Sequence, residues 1–203
     1  MLFFLIKKRM KNILVLMAHP KLEHSKVIAN LLDSISDLDN VQITDLYERY
    51  PDYNIDVQHE QEALFGADII IWLHPLYWYA APPLLKHWMD LVLEYNWAYG
   101  HNGIYLKGKY LFNAISTGGS PDAYSNKGHH GYSLKEFLLP YKQTASLCNM
   151  IYLPPFHVGG THNISVQHLQ KEADDFKSII LHLRDKEDLK NLEELDFLND
   201  FNE

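Results

Sequence analysis

The sequence predicts one α/β domain built on a doubly wound, mostly parallel five-stranded sheet. Short apolar runs rich in β-branched and aromatic residues alternate with amphipathic stretches of helical length, which is the pattern of βαβ units. Several runs are almost continuously apolar, as expected of strands covered by helices on both faces. The length of 203 residues, 47% of them hydrophobic, suits a single domain with a sizeable core.

Five runs are predicted as strands: 12–18 (NILVLMA), 41–47 (VQITDLY), 67–73 (ADIIIWL), 109–116 (KYLFNAIS) and 150–156 (MIYLPPF). General rules of chain connection favour the sheet order 2-1-3-4-5, which is the flavodoxin-like arrangement. Ligands bind such sheets beyond the carboxyl ends of the strands. We therefore expect a site at the ends of strands 1, 3 and 4.

Helices are predicted between the strands. From Ser25 to about Asp37 apolar residues recur at nearly helical spacing, and Ser25 is in position to cap the start. A helix is expected to begin at Pro82-Pro83, because proline suits the first helical turn. Further helices are predicted across 133–147 and 165–183.

The predicted domain spans residues 12–184, with a segment at each end. Residues 1–11 form an N-terminal extension whose apolar run of about five residues is too short for a signal peptide. A disordered extension is favoured over weak contact with a membrane surface. Residues 185–203 form an acidic tail, expected to be a solvated helix or a frayed segment rather than a recognition element. The expected location is cytoplasmic, with a peripheral position at the inner face of the membrane as the alternative.

Charge and cysteine content exclude several classes of protein. A net charge of −8 argues against a general nucleic-acid binder, which needs a basic face. The single cysteine, Cys148, excludes an internal disulfide and is predicted to be a buried, unreactive thiol at the end of a helix. No metal site is predicted, because His59-Glu60-Gln61-Glu62 lacks the second imidazole of a zinc motif.

The first strand end, residues 18–25 (AHPKLEHS), leads directly into a predicted helix. Unpaired N–H groups and the helix dipole favour an anion there, so His19, Ser25 and Lys26 are candidate phosphate contacts. An ordinary loop with a capping serine explains the segment as well.

The second strand end, residues 74–83 (HPLYWYAAPP), holds Tyr77, Trp78 and Tyr79 in one loop. These rings suit a flat ligand with a polar edge, although core packing or a protein interface explains them nearly as well.

The third strand end, residues 115–132 (ISTGGSPDAYSNKGHHGY), is the most informative. Thr117-Gly118-Gly119 lets the backbone approach a ligand and offers N–H donors to a developing anion. Tyr124 and His130 follow in the same polar loop. A phenol and an imidazole at one edge suit a ring that gains negative charge as hydride arrives, as a flavin does.

Together these segments resemble the NAD(P)H:quinone reductase family of flavodoxin-like flavoproteins, and within it the KefF and KefG type of ancillary protein of glutathione-gated potassium-efflux systems. The resemblance rests on AHP with its following serine, LYERYPDYNID, EQEAL, HPLYWYAAPPLLKHWMD, WAYGHNGIYLKGK, STGG and LPPF. These motifs run in order from about residue 12 to 160 and cover most of the chain.

The resemblance implies a bound flavin and transfer of hydride from NAD(P)H to a quinone or related electrophile. It also implies a homodimer with active sites at the subunit interface. FMN is favoured over FAD, because the short C-terminal region shows no obvious adenine site. The alternative function is that of a regulatory subunit that docks on a membrane potassium antiporter and has secondary redox activity. A one-electron flavodoxin is less favoured, because it has no need of the Tyr124/His130 loop.

Carried over by position, the resemblance places the flavin phosphate, ring and ribityl contacts at His19, Ser25, Lys26, Val27, Pro75, Leu76, Tyr77, Trp78, Ser116, Thr117, Gly118, Gly119 and Tyr124. Tyr124 and His130 align with the tyrosine and histidine proposed to relay charge, and are the catalytic candidates. The chain departs from relatives at Val27 and Ile28, where an asparagine is common.

Overall fold

The computed structural model describes residues 9–201, which form one parallel sheet with helices on both faces. The strands are β1 (Ile13–Met17), β2 (Val41–Asp45), β3 (Ile69–Pro75), β4 (Tyr110–Ser116), β5 (Ile151–Tyr152) and β6 (Phe156–Val158). Their order is β2-β1-β3-β4-β5, with β6 also paired to β4. The predicted fold class and strand order are confirmed.

The predicted fifth strand, 150–156, is wrong as a single strand. Tyr110 and Leu111 of β4 pair with Ile151 and Tyr152, but Ala114 pairs with Phe156, so one extra residue lies on the outer strand. The interruption falls at Leu153-Pro154-Pro155, because proline cannot donate to a ladder and is confined to edges and bulges. As a result β6 runs on past the prolines to Val158 and reaches the carboxyl end of β4.

The helices are α1 (Lys26–Ile35), α2 (Leu46–Arg49), α3 (Val57–Gly66), α4 (Pro83–Val92), α5 (Leu134–Phe137), α6 (Leu139–Leu147), α7 (Val166–Asp185) and α8 (Lys190–Glu193). The starts predicted at Ser25 and at the proline pair are confirmed, and the Ser25 hydroxyl accepts from the Ile28 N–H at 3.3 Å. The helix predicted across 133–147 is in two pieces, since the chain breaks at Leu138, just before Pro140.

Two helices, α2 and α3, were not predicted as such. The run 41–47 is a strand only to Asp45, whose side chain then caps α2. Helix α3 has no apolar stripe, because its buried residues are Glu60 and Leu64. The spacing of apolar residues therefore gives no signal for this helix.

The sheet separates two apolar layers. Alternate residues of the strands, such as Leu14 and Trp72, face the layer formed with α3, α4 and α6. The intervening residues, such as Val15 and Ile71, face the layer formed with α1 and α7. Cys148 is buried at the end of α6, as predicted, and burial raises the pKa of its thiol to about 11.

The C-terminal segment, which we call the tail (residues 186–201), packs on the second of these layers. Leu189, Leu192 and Leu198 are fully buried, and the Leu198 N–H donates to the Pro155 carbonyl at 2.9 Å. The expectation of a solvated or frayed tail is therefore wrong as far as residue 201. Acidic residues outnumber leucines in this segment, but the buried leucines attach it to the core.

The predicted N-terminal extension lies outside the described residues up to residue 8. From Arg9 onwards the chain is joined to the domain, and the Arg9 guanidinium lies 3.2 Å from the Asp68 carboxylate. Between residues 9 and 201, no helix has the length and apolar character required to span a bilayer.

Candidate functional site

A cavity of about 770 Å³ lies at the carboxyl ends of β1, β3 and β4. The structure brings residues from all three predicted strand ends to its wall. Most of the predicted cofactor contacts line it: His19, Ser25, Lys26, Val27, Pro75, Leu76, Tyr77, Trp78, Ser116 and Gly118. The strands that follow β1 in the chain lie on opposite sides of it, β2 on one side and β3 on the other. In this fold class a crevice that binds ligands opens at such a point.

His19 joins the first strand end to the second. Its Nδ1 accepts from the Lys21 N–H at 3.1 Å, and its Nε2 lies 3.2 Å from the Tyr77 hydroxyl oxygen. Burial lowers the pKa of His19, so the ring is neutral at pH 7 and carries its proton on Nε2. The imidazole therefore donates to Tyr77 and leaves the phenol hydrogen free for another acceptor.

The amino end of α1 presents backbone donors to the cavity. The N–H groups of Lys26 and Val27 belong to the first helical turn, where no carbonyl four residues earlier can accept from them. The side chains of Val27 and Ile28 are buried in the core, with 2% and 0% exposed. Val27 and Ile28 thus contribute their side chains to packing, which leaves the Ser25 and Lys26 side chains and the backbone to contact a ligand.

The loop after β3 is an unusually strained two-residue hairpin. Tyr77 and Ala80 exchange backbone hydrogen bonds of 2.9 and 3.0 Å around Trp78 and Tyr79. Both central residues have positive φ, 47° and 65°, which is the pattern of a type I′ turn that normally selects Asn and Gly. The Trp78 side chain is 93% exposed and borders the cavity. The strained backbone of the hairpin thus holds the Trp78 indole at the mouth of the cavity.

Gly118 allows the loop after β4 and the loop after β6, which carries His162, to approach each other closely. A Cβ added there would lie 2.5 Å from His162 Nε2, a distance that no side chain tolerates without movement. The second loop is held against the first by hydrogen bonds from the Gly160 N–H to the Gly119 carbonyl and from the Thr161 N–H to the Thr117 carbonyl.

Sequence reasoning missed part of the cavity wall, namely Pro20, Lys21, His24, Thr161 and His162. A usable signal existed for the last two. They follow the end of the outermost strand, in a stretch that reads GGTHN, and the rule that ligands gather at strand ends applies to that strand too.

Tyr124 and His130 lie together but do not line the cavity. Their rings stack with centroids 4.4 Å apart and an interplanar angle of 29°. A Cβ on Gly119 would lie 3.2 Å from the Tyr124 ring and 3.5 Å from His130 Nε2. The pair therefore sits behind Gly119, and of the predicted contacts Thr117, Gly119 and Tyr124 are the ones outside the cavity wall.

The Tyr124 phenol is protonated at neutral pH, since burial raises its pKa and outweighs the opposing interaction with Thr117. The half-buried His130 ring has its Nδ1 3.4 Å from the hydroxyl of Tyr79, one of the two strained hairpin residues. The second and third strand ends are thus connected through aromatic and imidazole rings.

A buried polar network, also absent from the sequence prediction, supports the end of β3. His74 Nδ1 donates to the Pro75 carbonyl, and its Nε2 accepts from the Asn113 amide, both at 2.9 Å. The Tyr152 hydroxyl donates to the other end of that amide at 2.6 Å. Burial lowers the pKa of His74 to about 4, so the ring is neutral, and the two hydrogen bonds place its proton on Nδ1.

Comparison with known proteins agrees with this architecture. The family model described as having a flavodoxin-like fold matches residues 11–180, and the chain belongs to that flavodoxin-like family. Among curated proteins it is similar to the glutathione-regulated potassium-efflux system ancillary protein KefF of Salmonella gallinarum, with 43% identity over 169 residues, 83% of this chain and 95% of KefF. The resemblance indicated by the sequence motifs is confirmed.

Two crystal structures share the fold at appreciable identity. General stress protein 14 of Treponema denticola, solved in complex with FMN, is 36% identical, with a TM-score of 0.81 over 85% of this chain and 99% of that one. An NADPH-quinone reductase from P. pentosaceus is 30% identical, with a TM-score of 0.76 over 83% and 96%.

Proposed function

We propose that this chain is an FMN-dependent NAD(P)H oxidoreductase of quinone-reductase type, located in the cytoplasm. The observation that carries the proposal is the convergence of three strand ends on one cavity, with a helix amino terminus on one wall and an exposed aromatic loop on another. The FMN complex of the Treponema denticola protein and the quinone-reductase name of the P. pentosaceus protein support it.

The residues present fit FMN. The volume of about 770 Å³ lies in the range of cofactor pockets. The first-turn N–H groups of Lys26 and Val27, the Ser25 hydroxyl and the Lys26 ammonium supply the donors and positive charge that a phosphate needs. At the other side Gly118 lines the cavity with backbone alone, and its missing Cβ leaves room for His162, which lines the wall beside it. FAD, the alternative, would need further space for its adenosine.

A bound flavin supplies hydride acceptance from NAD(P)H and hydride delivery to a quinone. The chain contributes position, exclusion of water and protons. Tyr77, with its hydroxyl oriented by neutral His19, and Trp78 would hold the ring. The backbone N–H groups of Gly118 and Gly119 would donate to the ring edge that gains negative charge. Protonated Tyr124 and the stacked His130, behind Gly119, would hold and exchange a proton there.

A second candidate role is regulatory, as an ancillary subunit that docks on a membrane potassium antiporter. The similarity to KefF across 95% of that protein favours it, and the same flavin site serves both roles. Co-purification with an antiporter from the native membrane would support the regulatory role. The homodimer is a further part of the proposal, to be measured by sedimentation, and the almost fully exposed Trp78 ring suits a subunit contact.

The deciding experiment is purification without added flavin, followed by an absorption spectrum and anaerobic addition of NADPH. We expect stoichiometric FMN that is bleached by NADPH and reoxidised by a soluble quinone. A Gly118→Val variant should lose FMN, whereas Gly66→Val, at a position with open space around it, should retain it. A colourless wild-type protein that takes up neither FMN nor FAD would overturn the proposal.

A further inference from the structure

The tail forms hydrogen bonds with the outer edge of the sheet. Leu198 donates its N–H to the Pro155 carbonyl at 2.9 Å. Asn199 then pairs its side chain with the backbone of His157, accepting from the N–H at 2.8 Å and donating to the carbonyl at 3.1 Å. Its amide nitrogen also lies 3.0 Å from Glu172 on α7. The side-chain amide thus acts as a substitute for a neighbouring strand along an edge that would otherwise be open.

The residue held in this way, His157, contacts the loop that follows β4. His157 is 7% exposed, and its Nε2 lies 2.8 Å from the Thr117 hydroxyl oxygen. Because that hydroxyl donates to the Gly119 carbonyl at 2.8 Å, the imidazole must be the donor to Thr117. Burial lowers the pKa of His157 to about 4, which keeps the ring neutral with one hydrogen to donate.

Thr117 is the junction at which this chain of contacts meets the proposed catalytic loop. Its hydroxyl also interacts with the Tyr124 phenol, whose ring lies edge-on to His157 with centroids 6.1 Å apart. A continuous set of hydrogen bonds therefore joins Asn199, His157, Thr117 and Gly119.

We propose that Asn199 is a positioning residue: through His157 and Thr117 it holds the loop of Gly118 and Gly119 in the geometry that binds the flavin. Asn199 lies beyond residues 11–180, the part that the family model matches, whereas His157 and Thr117 lie within it. The predicted effect on flavin binding rests on the proposed function. The link between Asn199 and the loop of Gly118 and Gly119 does not, because it is a property of the flavin-free protein.

The test uses the full chain and the substitution Asn199→Ala, with Asn191→Ala as its matched control, since Asn191 is an exposed asparagine of the same tail. In flavin-free protein, amide exchange of Gly160, which donates to Gly119, should accelerate roughly 10-fold in Asn199→Ala, as expected when the loop loses the equivalent of about one net hydrogen bond. Exchange of Val15 in the core should stay unchanged, and Asn191→Ala should behave as wild type.

The flavin readout is the dissociation constant for FMN, measured by quenching of flavin fluorescence. It should rise roughly 5- to 20-fold in Asn199→Ala, since one net hydrogen bond is equivalent to a factor of about five to ten. In a double-mutant cycle with Thr117→Val the effects should be non-additive, because both changes break one chain of contacts. Thr117→Ser, which keeps the hydroxyl, should restore wild-type affinity.

Wild-type Gly160 exchange in Asn199→Ala, or fully additive effects in the cycle, would overturn the proposal. If Asn199→Ala fails to fold, Thr117→Val tests the same link in the other direction. Because coupling is reciprocal, the His157 amide should exchange faster in Thr117→Val than in Thr117→Ser. Equal exchange in those two variants would also overturn it. If wild-type protein binds no FMN the proposed function fails, while Gly160 exchange still decides the coupling.

Discussion

The imidazole of His130 stacks on the phenol ring of Tyr124, with centroids 4.4 Å apart, directly behind Gly119. The two side chains are six positions apart in one loop, which is closed by a hydrogen bond of 3.1 Å from the His130 N–H to the Ala123 carbonyl, next to Tyr124. It places a protonated phenol and an imidazole next to the backbone that we propose contacts the flavin.

His130→Gln is expected to slow reduction of bound flavin by NADPH roughly 10- to 100-fold, the scale of a modest acid–base contribution. Stopped-flow absorbance measures the rate. His129→Gln, at the neighbouring exposed histidine, is the control and should stay near the wild-type rate. An unchanged rate in His130→Gln would remove this residue from the mechanism.

Trp78→Asn should separate stability from binding. Asparagine suits the first central position of a type I′ turn, so the flavin-free protein should gain about 1 kcal/mol of unfolding free energy in urea titrations. FMN affinity should fall roughly 10-fold, because a stacking ring is lost. Trp78→Phe retains both the ring and the strain and should show neither change. A drop in stability in Trp78→Asn would contradict the strain argument.

Glu60 should be important for stability and not for the chemistry. Its carboxylate is 1% exposed and accepts from the Tyr50 hydroxyl and the Trp88 indole N–H, both at 2.8 Å, which ties α3 to α4. Glu60→Leu leaves two buried donors unpaired and should cost about 2–4 kcal/mol in urea unfolding. Glu60→Gln should cost less, and exposed Glu62→Gln almost nothing. A neutral Glu60→Leu would show that the donors find other partners.

Stability should fall on mild acidification. His74 and His157 have a pKa of about 4 in the folded protein, against 6.5 when unfolded, since burial disfavours the charged rings. The unfolded chain therefore binds two more protons between these pH values, and the unfolding free energy should decrease by up to about 2.7 kcal/mol per pH unit from pH 6 to pH 4.5. The penalty is small above pH 7 and is complete only about one pH unit below the folded-state pKa of about 4.

Urea titrations at several pH values, on flavin-free protein, measure this slope. Asn113→Leu removes the donor to His74 Nε2, but the depressed pKa comes from burial, so its slope should persist. A His74→Phe variant should lose about half of the slope, because one of the two protons is no longer taken up on unfolding. A wild-type stability that is flat from pH 7 to pH 4.5 would contradict buried neutral histidines at both positions.

Much of the candidate site was accessible from local sequence. The serine before α1 and the proline pair before α4 each have a meaning that depends on near neighbours alone, and the structure confirms both as helix starts. Of the glycine pair after β4, Gly118 lies on the cavity wall and Gly119 does not. Contacts between residues distant in the chain were not accessible: the approach of His162 to Gly118 and the pairing of Asn199 with His157 each join residues more than forty positions apart.

The order of the strands and the three loops at their ends follow from the sequence, because apolar periodicity and turn residues act over a few positions and a parallel sheet allows few topologies. Three features emerge only when the elements pack together: the split of the outer strand at two prolines, the attachment of the acidic tail through its leucines and Asn199, and the position of Tyr124 and His130 behind Gly119, outside the cavity wall. These outcomes depend on which surfaces meet, and burial is decided when they do.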